Sequence, residues 1–253
     1  ERFPGGAAPM IADGALEGVG QVFGIHISSQ LPLGALGTRP GPLMAAVNDI
    51  DITIRGRGGH AAMPEQAIDP IVAAANVILA LQSVVSRGLS MAEAAVVSVT
   101  RVSGGTADNI IPETVHLSGT IRTYDEGVRR RVCERVRQAA TQVAAAHGAT
   151  AEVNLPDGYP ALVNHAPAVE RALASARRVG FAESSLQTLD PQGGGEDFAY
   201  YLQRAPGAFV FLGARCEGAA WPHHHPRFDV SEEALPWGAA LLAQVALDAG
   251  DAA

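Results

Sequence analysis

Cysteine is nearly missing: only Cys133 and Cys216 occur among 253 residues, far apart in sequence. Two cysteines build no disulfide framework, so a reducing compartment, the cytoplasm, is the expected setting. Positive charge is scarce too, with 18 Lys and Arg against 26 Asp and Glu and a formal net charge of −8. No basic stripe exists to meet a phosphate backbone, which excludes nucleic acid as a main partner. The one basic run, Arg129-Arg130-Arg131, reads as the wet face of a helix whose opposite side carries Val128, Val132, Val136 and Val143. No window approaches the roughly 18 apolar residues of a membrane span, and the first residues do not read as a signal peptide. A Gly-x-Ser-x-Gly elbow and a phosphate-binding glycine loop are also missing, so serine hydrolase and nucleotide readings fail.

What is present suffices for a large core, since 47% of the residues are hydrophobic. The pattern predicts a helix over 8–18 and a strand over 21–27, then a loop or crossing segment marked by Gly34, Gly37, Pro40, Gly41 and Pro42. A new unit begins near Val47: strand 49–56, helix 66–86, strands 95–103 and 113–123, helix 126–147 and strand 149–155. Asp125 is a good N-cap, and Arg87-Gly88 and His147-Gly148 are good stops. The βαββαβ order suggests a ferredoxin-like sandwich with helices on one sheet face. Past Tyr159-Pro160 come helix 166–179, a turn at Gly193-Gly194-Gly195, helix 197–204, a buried strand over 208–213, a His-rich loop and a helix near 232–248. The two ends therefore read as one α/β domain, 1–46 and 162–253, into which residues 47–161 are inserted.

The most informative stretch is Gly56-Arg57-Gly58-Gly59-His60-Ala61-Ala62-Met63-Pro64. It joins a strand with Ile50, Ile52 and Ile54 on one face to a helix with Ile68, Ile71, Val72, Ala75, Ile78 and Leu79 on one face. Its glycines let the backbone turn sharply, and His60 stands at an element end, either as a cap or for chemistry. Glu1, His26 and the run His223-His224-His225 supply ligand-type groups at three distant stations. His26 ends an apolar strand before a glycine- and proline-rich loop, the usual place for a site in an α/β sheet. It is either a ligand or a satisfied core histidine, and the His run is either a ligand source or a solvated tract. Imidazole and carboxylate together suit zinc and similar divalent ions. Glu196-Asp197 after three glycines is either a helix start with favourable acidic residues or a substrate-orienting group. In the polar loop Gly104 to Pro112, Asn109 could hydrogen-bond a carboxylate, and Arg122 could pair with one bidentately.

Read together, these stretches resemble the dinuclear metal-dependent aminoacylase and carboxypeptidase family, in particular its N-acyl-amino-acid amidohydrolases, which include hippurate hydrolases and hydrolases of indoleacetyl-amino acids. The residues that carry the likeness are Glu-x-x-Pro-Gly-Gly-Ala from Glu1, Phe23-Gly24-Ile25-His26, Arg39 to Ala46, Gly56 to Pro64, Gly104 to Pro112, Glu196 to Tyr201, and His224-x-Pro226-Arg227-Phe228-Asp229. The likeness spans essentially the whole chain in order. It implies metal ligation by Glu1, His26 and His224, with His223 and His225 as neighbours. It implies a partial zinc-peptidase-like catalytic domain with an inserted ferredoxin-like lid that also forms a homodimer. His60 would steady the oxyanion in the partner's site, Asn109 would hold the substrate carboxylate, and Arg122 and Glu196 would bind substrate. Two divalent ions (zinc, manganese, cobalt or nickel) would act on a small N-acyl amino acid substrate.

One departure stands out. The family's N-terminal part, with its Cys-Gly-His-Asp stretch, further ligands and the glutamate that acts as base just before Glu1, has no counterpart in these 253 residues. The chain is thus expected to be a truncated form, inactive alone. Two other readings remain: a non-catalytic dimerisation or binding module, and a metallo-dipeptidase or carboxypeptidase using the same machinery.

Overall fold

A computed structural model describes residues 3, 5–218 and 221–250. The chain packs as two compact units, Glu1–Met44 with Leu162–Ala253, and Ala45–Ala161. The first boundary falls two residues before the expected 46/47. Ala45 and Ala46 are already buried, and Ala46 opens a continuous ten-residue strand.

In the first unit α1 (Ala7–Ala12) precedes β1 (Val22–Ser28), β2 (Leu36–Thr38) and β3 (Gly41–Met44). The helix expected over 8–18 ends early because Asp13 and Gly14 turn the chain, Gly14 at φ 91°. The span expected to be loop contains β2 and β3, whose glycines and prolines masked three- and four-residue strands.

The second unit contains β4 (Ala46–Arg55), β5 (Gly59–His60), α2 (Pro70–Ser86), β6 (Ala95–Gly104), β7 (Ile110–Ile111), β8 (Thr114–Thr123), α3 (Glu126–Ala146) and β9 (Thr150–Asn154). Its antiparallel sheet has the order β6-β8-β4-β9, and α2 and α3 share one core with it. Alternation builds that core: Ile50, Ile52 and Ile54 of β4 and Val115, Leu117 and Ile121 of β8 face the helices, while Asp49, Asp51 and His116 face outward. Asp125 caps α3 by accepting from the Val128 amide at 2.8 Å.

Two sequence expectations in this unit are corrected. The buried stripe of α2 is Ala73, Ala74, Val77, Leu81 and Val84, whereas Ile71, Val72 and Leu79 are exposed, Leu79 by 70%. A helix apolar all round gives periodicity little to choose between, and the alanines allow the closer approach to the sheet. Arg129 is buried rather than wet. It donates to Asn48 Oδ1 at 2.7 Å and to Asp157 Oδ1 at 2.6 Å, which compensates the charge.

The chain then returns to the first unit with β10 (Leu162–Asn164), α4 (Ala166–Val179), β11 (Leu186–Thr188), α5 (Ala199–Leu202), β12 (Gly207–Gly213) and α6 (Ala234–Gly250). The main sheet has the order β1-β12-β2-β11, with β1 parallel to β12, and β10 pairs separately with β3. α4 and α6 pack on one face through Val210, Leu212, Leu241 and Val245, joined by Phe23, Ile25 and Ile27. α5 is shorter than the expected 197–204, since tight turns at Glu196–Ala199 and Asp197–Tyr200 precede it. No helix of the described residues is long and apolar enough to cross a membrane.

Candidate metal and substrate site

Strand alternation sends Phe23, Ile25 and Ile27 to the helix-covered face of the first unit's sheet. Gly24 and His26 therefore point to the other face, where Phe198, Phe209 and Phe211 stand. Gly24 serves close approach there, because a Cβ would sit 2.8 Å from the Phe209 ring and 2.9 Å from that of Phe198. The His26 ring packs 5.6 Å from Phe211 and 6.3 Å from Phe209, centroid to centroid. Its Nδ1 lies 2.7 Å from the Ile27 carbonyl oxygen. A carbonyl only accepts, so Nδ1 carries the proton and Nε2 keeps a free lone pair. This is the arrangement by which a protein presents a neutral imidazole to a metal.

The ring of His223 meets His26 edge to face at 4.9 Å. His223 Nε2 is buried and has no hydrogen-bond partner among the described residues. Burial, with the neighbouring His26 and His224, pulls the His223 pKa below its usual value, against a hydrogen bond to the Ile27 backbone that raises it. His224, to which the resemblance gives the ligand role, is exposed and adopts φ 67°. Among the described residues it is the one non-glycine in the left-handed region, a conformation that costs free energy and collects at functional sites. The sequence offered His223 only as part of the run His223-His224-His225, since motif alignment passes over it to His224.

Glu196 stands on the same unit, half-buried, with Oε1 accepting from the Phe198 amide at 3.1 Å. Burial raises its pKa above the ordinary carboxylate value, the adjacent Asp197 adds to the rise, and His26 opposes it. Asp197, which the sequence offered with Glu196 as a favourable acidic helix start, accepts from the amides of Gly6 and Ala7 at 2.7 and 2.9 Å. It thereby fastens Gly6 and Ala7 to the Gly-Gly-Glu-Asp turn. A Cβ on Gly5 would come within 2.5 Å of the same carboxylate, and Gly5 has φ 77°, so close approach and backbone conformation both call for glycine at position 5. Glu1 lies outside the described residues.

The raised pKa of Glu196 has a pH signature. The folded chain favours the protonated acid, so this group's contribution is full below the ordinary value of 4.5 and is lost as pH rises through the folded pKa. Glu196→Gln is expected to be more stable than the wild type near neutral pH, with the gap closing on acidification. Thermal melts across that range check it; parallel wild-type and variant curves would contradict it.

The second unit gathers its own group. β5 pairs with β7, setting His60 opposite Ile110, and the Ala61 amide donates to the Asn109 carbonyl at 3.0 Å. His60 and Asn109 line one open cavity of about 890 Å³ together with Ser103, Thr114 and His116. The Ala62 amide donates to His60 Nδ1 at 3.0 Å. An amide only donates, so the proton of the neutral ring sits on Nε2, the reverse of His26. His26 is set up to give a lone pair, and exposed His60 to donate a hydrogen bond. Arg122 does not line this cavity. Its guanidinium donates to Thr120 Oγ1 and to the Ile121 carbonyl, the latter at 3.1 Å, and burial lowers its pKa against the opposing effect of Asp49.

Among the described residues no group of three or more His, Cys, Asp or Glu side chains forms a metal cage. The His26 lone pair and the orphaned, buried Nε2 of His223 nevertheless fit a divalent ion as imidazole donors.

Comparison with known proteins agrees with this chemistry. Residues 1–248 match the peptidase family M20/M25/M40. The chain is 41% identical to an N-acetylcysteine deacetylase of Bacillus subtilis over 249 residues, which cover 98% of the chain and 63% of that relative. It is 38% identical to thermostable carboxypeptidase 2 of Saccharolobus solfataricus, covering 96% of the chain and 62% of the relative. A crystal structure of a dinuclear metal-binding M20 peptidase from Bacillus subtilis superposes with a TM-score of 0.78 at 36% identity, over 96% of this chain and 61% of that one. The chain thus spans under two thirds of the length of these relatives.

Proposed function

Because the chain belongs to peptidase family M20/M25/M40, whose relatives here are hydrolases, we propose that it carries the imidazole side of a metal-dependent amidohydrolase acting on N-acyl amino acids. The observation that carries the reading is the opposed tautomers: His26 with its Nε2 lone pair free, and His60 with Nε2–H free.

In this reading His26 and His224, with Glu1 and the neighbouring His223, hold one side of a two-ion site for zinc, manganese, cobalt or nickel. The bound ions supply Lewis acidity and an activated water. His26 is kept in its ligand tautomer by the Ile27 carbonyl, and the phenylalanine wall around it excludes water. Asn109 orients the substrate carboxylate, and Glu196 orients the substrate from the first unit. His60 donates its Nε2 proton as a hydrogen bond to the carbonyl oxygen, an interaction that strengthens as charge develops there.

The second unit serves as a ferredoxin-like lid, and a homodimer formed through it brings His60 to the partner's site. The exposed Ile71, Val72 and Leu79 of α2 and the exposed Val96 and Val102 of the edge strand β6 support such pairing. The free thiols of Cys133 and Cys216 support a cytoplasmic setting. In this reading the catalytic centre is completed by the part of the relatives' length that this chain does not span, and the chain alone is inactive. A carboxypeptidase reading shares the machinery and differs only in the acyl group accepted, as the 38% identity to a carboxypeptidase illustrates.

The test is amine release from N-acetyl amino acids with cobalt or zinc, using the protein completed by the N-terminal third of the deacetylase relative. His60→Ala is expected to lower kcat by about 100- to 1,000-fold, the usual cost of one oxyanion donor, with KM nearly unchanged. Equal turnover by the two proteins would sink the role of His60, and no metal-dependent turnover at all would sink the reading.

A further inference from the structure

The histidine run is held by a brace that reaches outside the motif, to Trp221 and Ser29. The Trp221 indole stacks on His225 at 4.3 Å with an interplanar angle of 12°. The Arg227 guanidinium carbon lies 3.6 Å from the centroid of the same indole. One ring face has no room for both groups, so Trp221 is sandwiched between them. Its carbonyl accepts from Ser29 Oγ at 2.7 Å, and Ser29 is fully buried just beyond the end of β1. The Arg227 amide donates to His225 Nδ1 at 3.1 Å, which closes the turn from inside. His223 and His224 lie between the two ends of this clasp. The His223 ring is pressed between His26 at 4.9 Å and Phe228 at 4.8 Å.

Both indole faces are occupied, so Trp221 is not offered to a substrate ring. A cation–π contact with Arg227 and a stacked imidazole on one exposed loop are instead what hold a short turn in a single conformation. The left-handed φ of 67° at His224 is a strained state that persists only where its surroundings over-determine it, and the clasp supplies that.

We propose that Trp221 is a positioning residue for metal binding: held between Arg227 and His225 and tied to Ser29, it fixes the turn that offers the histidine run to a divalent ion beside His26. This rests on the metal-site reading above.

The experiment is titration of the protein with cobalt(II) alone in a Trp237→Phe background, which leaves Trp221 as the single tryptophan reporter. Visible cobalt absorption gives affinity, Trp221 emission reports the clasp, and thermal melting reports the fold. Trp221→Ala is expected to weaken cobalt binding at least tenfold, and Trp221→Phe, which restores a stacking ring, to recover it to within threefold. Arg227→Gln, which removes one side of the clasp at an exposed side chain, is expected to weaken binding several-fold without moving the melting temperature. Variants that melt earlier yet bind cobalt like the parent would overturn the proposal and leave the metal site standing. A parent that binds no cobalt, or binds it equally after His26→Ala, would overturn the metal-site reading and this proposal with it.

Discussion

Gly56→Ala is expected to be among the most damaging single substitutions in the second unit, although it adds only one methyl group. A Cβ at this position would lie 2.0 Å from the Ile68 carbonyl oxygen and 3.0 Å from Pro70 Cδ, and neither is a flexible side-chain end. That carbonyl accepts from the Arg57 amide at 2.9 Å, and the Ile68 amide donates back to Arg57 at 2.9 Å. Making room means breaking this reciprocal pair or displacing Pro70 at the start of α2. Overpacking of about 1–3 kcal/mol and two lost backbone hydrogen bonds of about 1 kcal/mol each give a loss of roughly 3–5 kcal/mol. The Arg57–Ile68 clasp also closes the loop that carries His60, so the His60 cavity should loosen with it. Thermal melts and denaturant curves measure the loss. Gly20→Ala is the control, since a methyl group on Gly20 would meet no atom within 4 Å and its φ is not left-handed. Equal stability of the two variants would remove the close-approach argument.

His26→Ala is expected to abolish stoichiometric metal binding. Losing a partner that merely orients a metal ligand costs about 10- to 100-fold in affinity, so losing the ligand should cost roughly 1,000-fold. Alanine would also empty the space beside Phe209 and Phe211, and a fall in stability alone could mimic the result. His26→Phe separates the two effects, because it refills the aromatic cluster but offers no lone pair. The expected pattern is a melting temperature close to that of the parent, together with metal loss as complete as for His26→Ala. Metal retained by His26→Phe would show that the imidazole serves only to pack.

How far the sequence spoke depended on how much local pattern each feature carried. Strands β4 and β8 were legible because their strict alternation, Ile50-Ile52-Ile54 and Val115-Leu117-Ile121, matches a sheet with one buried face. α3 was legible from its Asp125 cap and valine stripe. β2 and β3 were not, since strands of three and four residues rich in glycine and proline hold at most two periods of the two-residue alternation. The core face of α2 was misjudged because alanine packs closest while larger residues point outward. The glycines before His60 were read as giving the chain freedom to turn. None of Gly56, Gly58 and Gly59 has a left-handed φ; a Cβ on each would lie within 3.1 Å of a neighbouring atom. At the site, His26, His60 and Asn109 were legible as motif members. The neighbours that give them their properties were not: the Ile27 carbonyl, the Ala62 amide and the Trp221 clasp. Backbone partners and cross-chain ring contacts leave no periodic trace in a sequence.

The most direct measurement is anomalous X-ray scattering from crystals of the protein grown with zinc. The expected result is a zinc peak about 2.0–2.1 Å from His26 Nε2, the usual zinc–imidazole distance, with a second imidazole of the His223–His225 run bound to the same ion. A fully ordered His26 whose Nε2 faces no metal, or a zinc held elsewhere without it, would contradict the account.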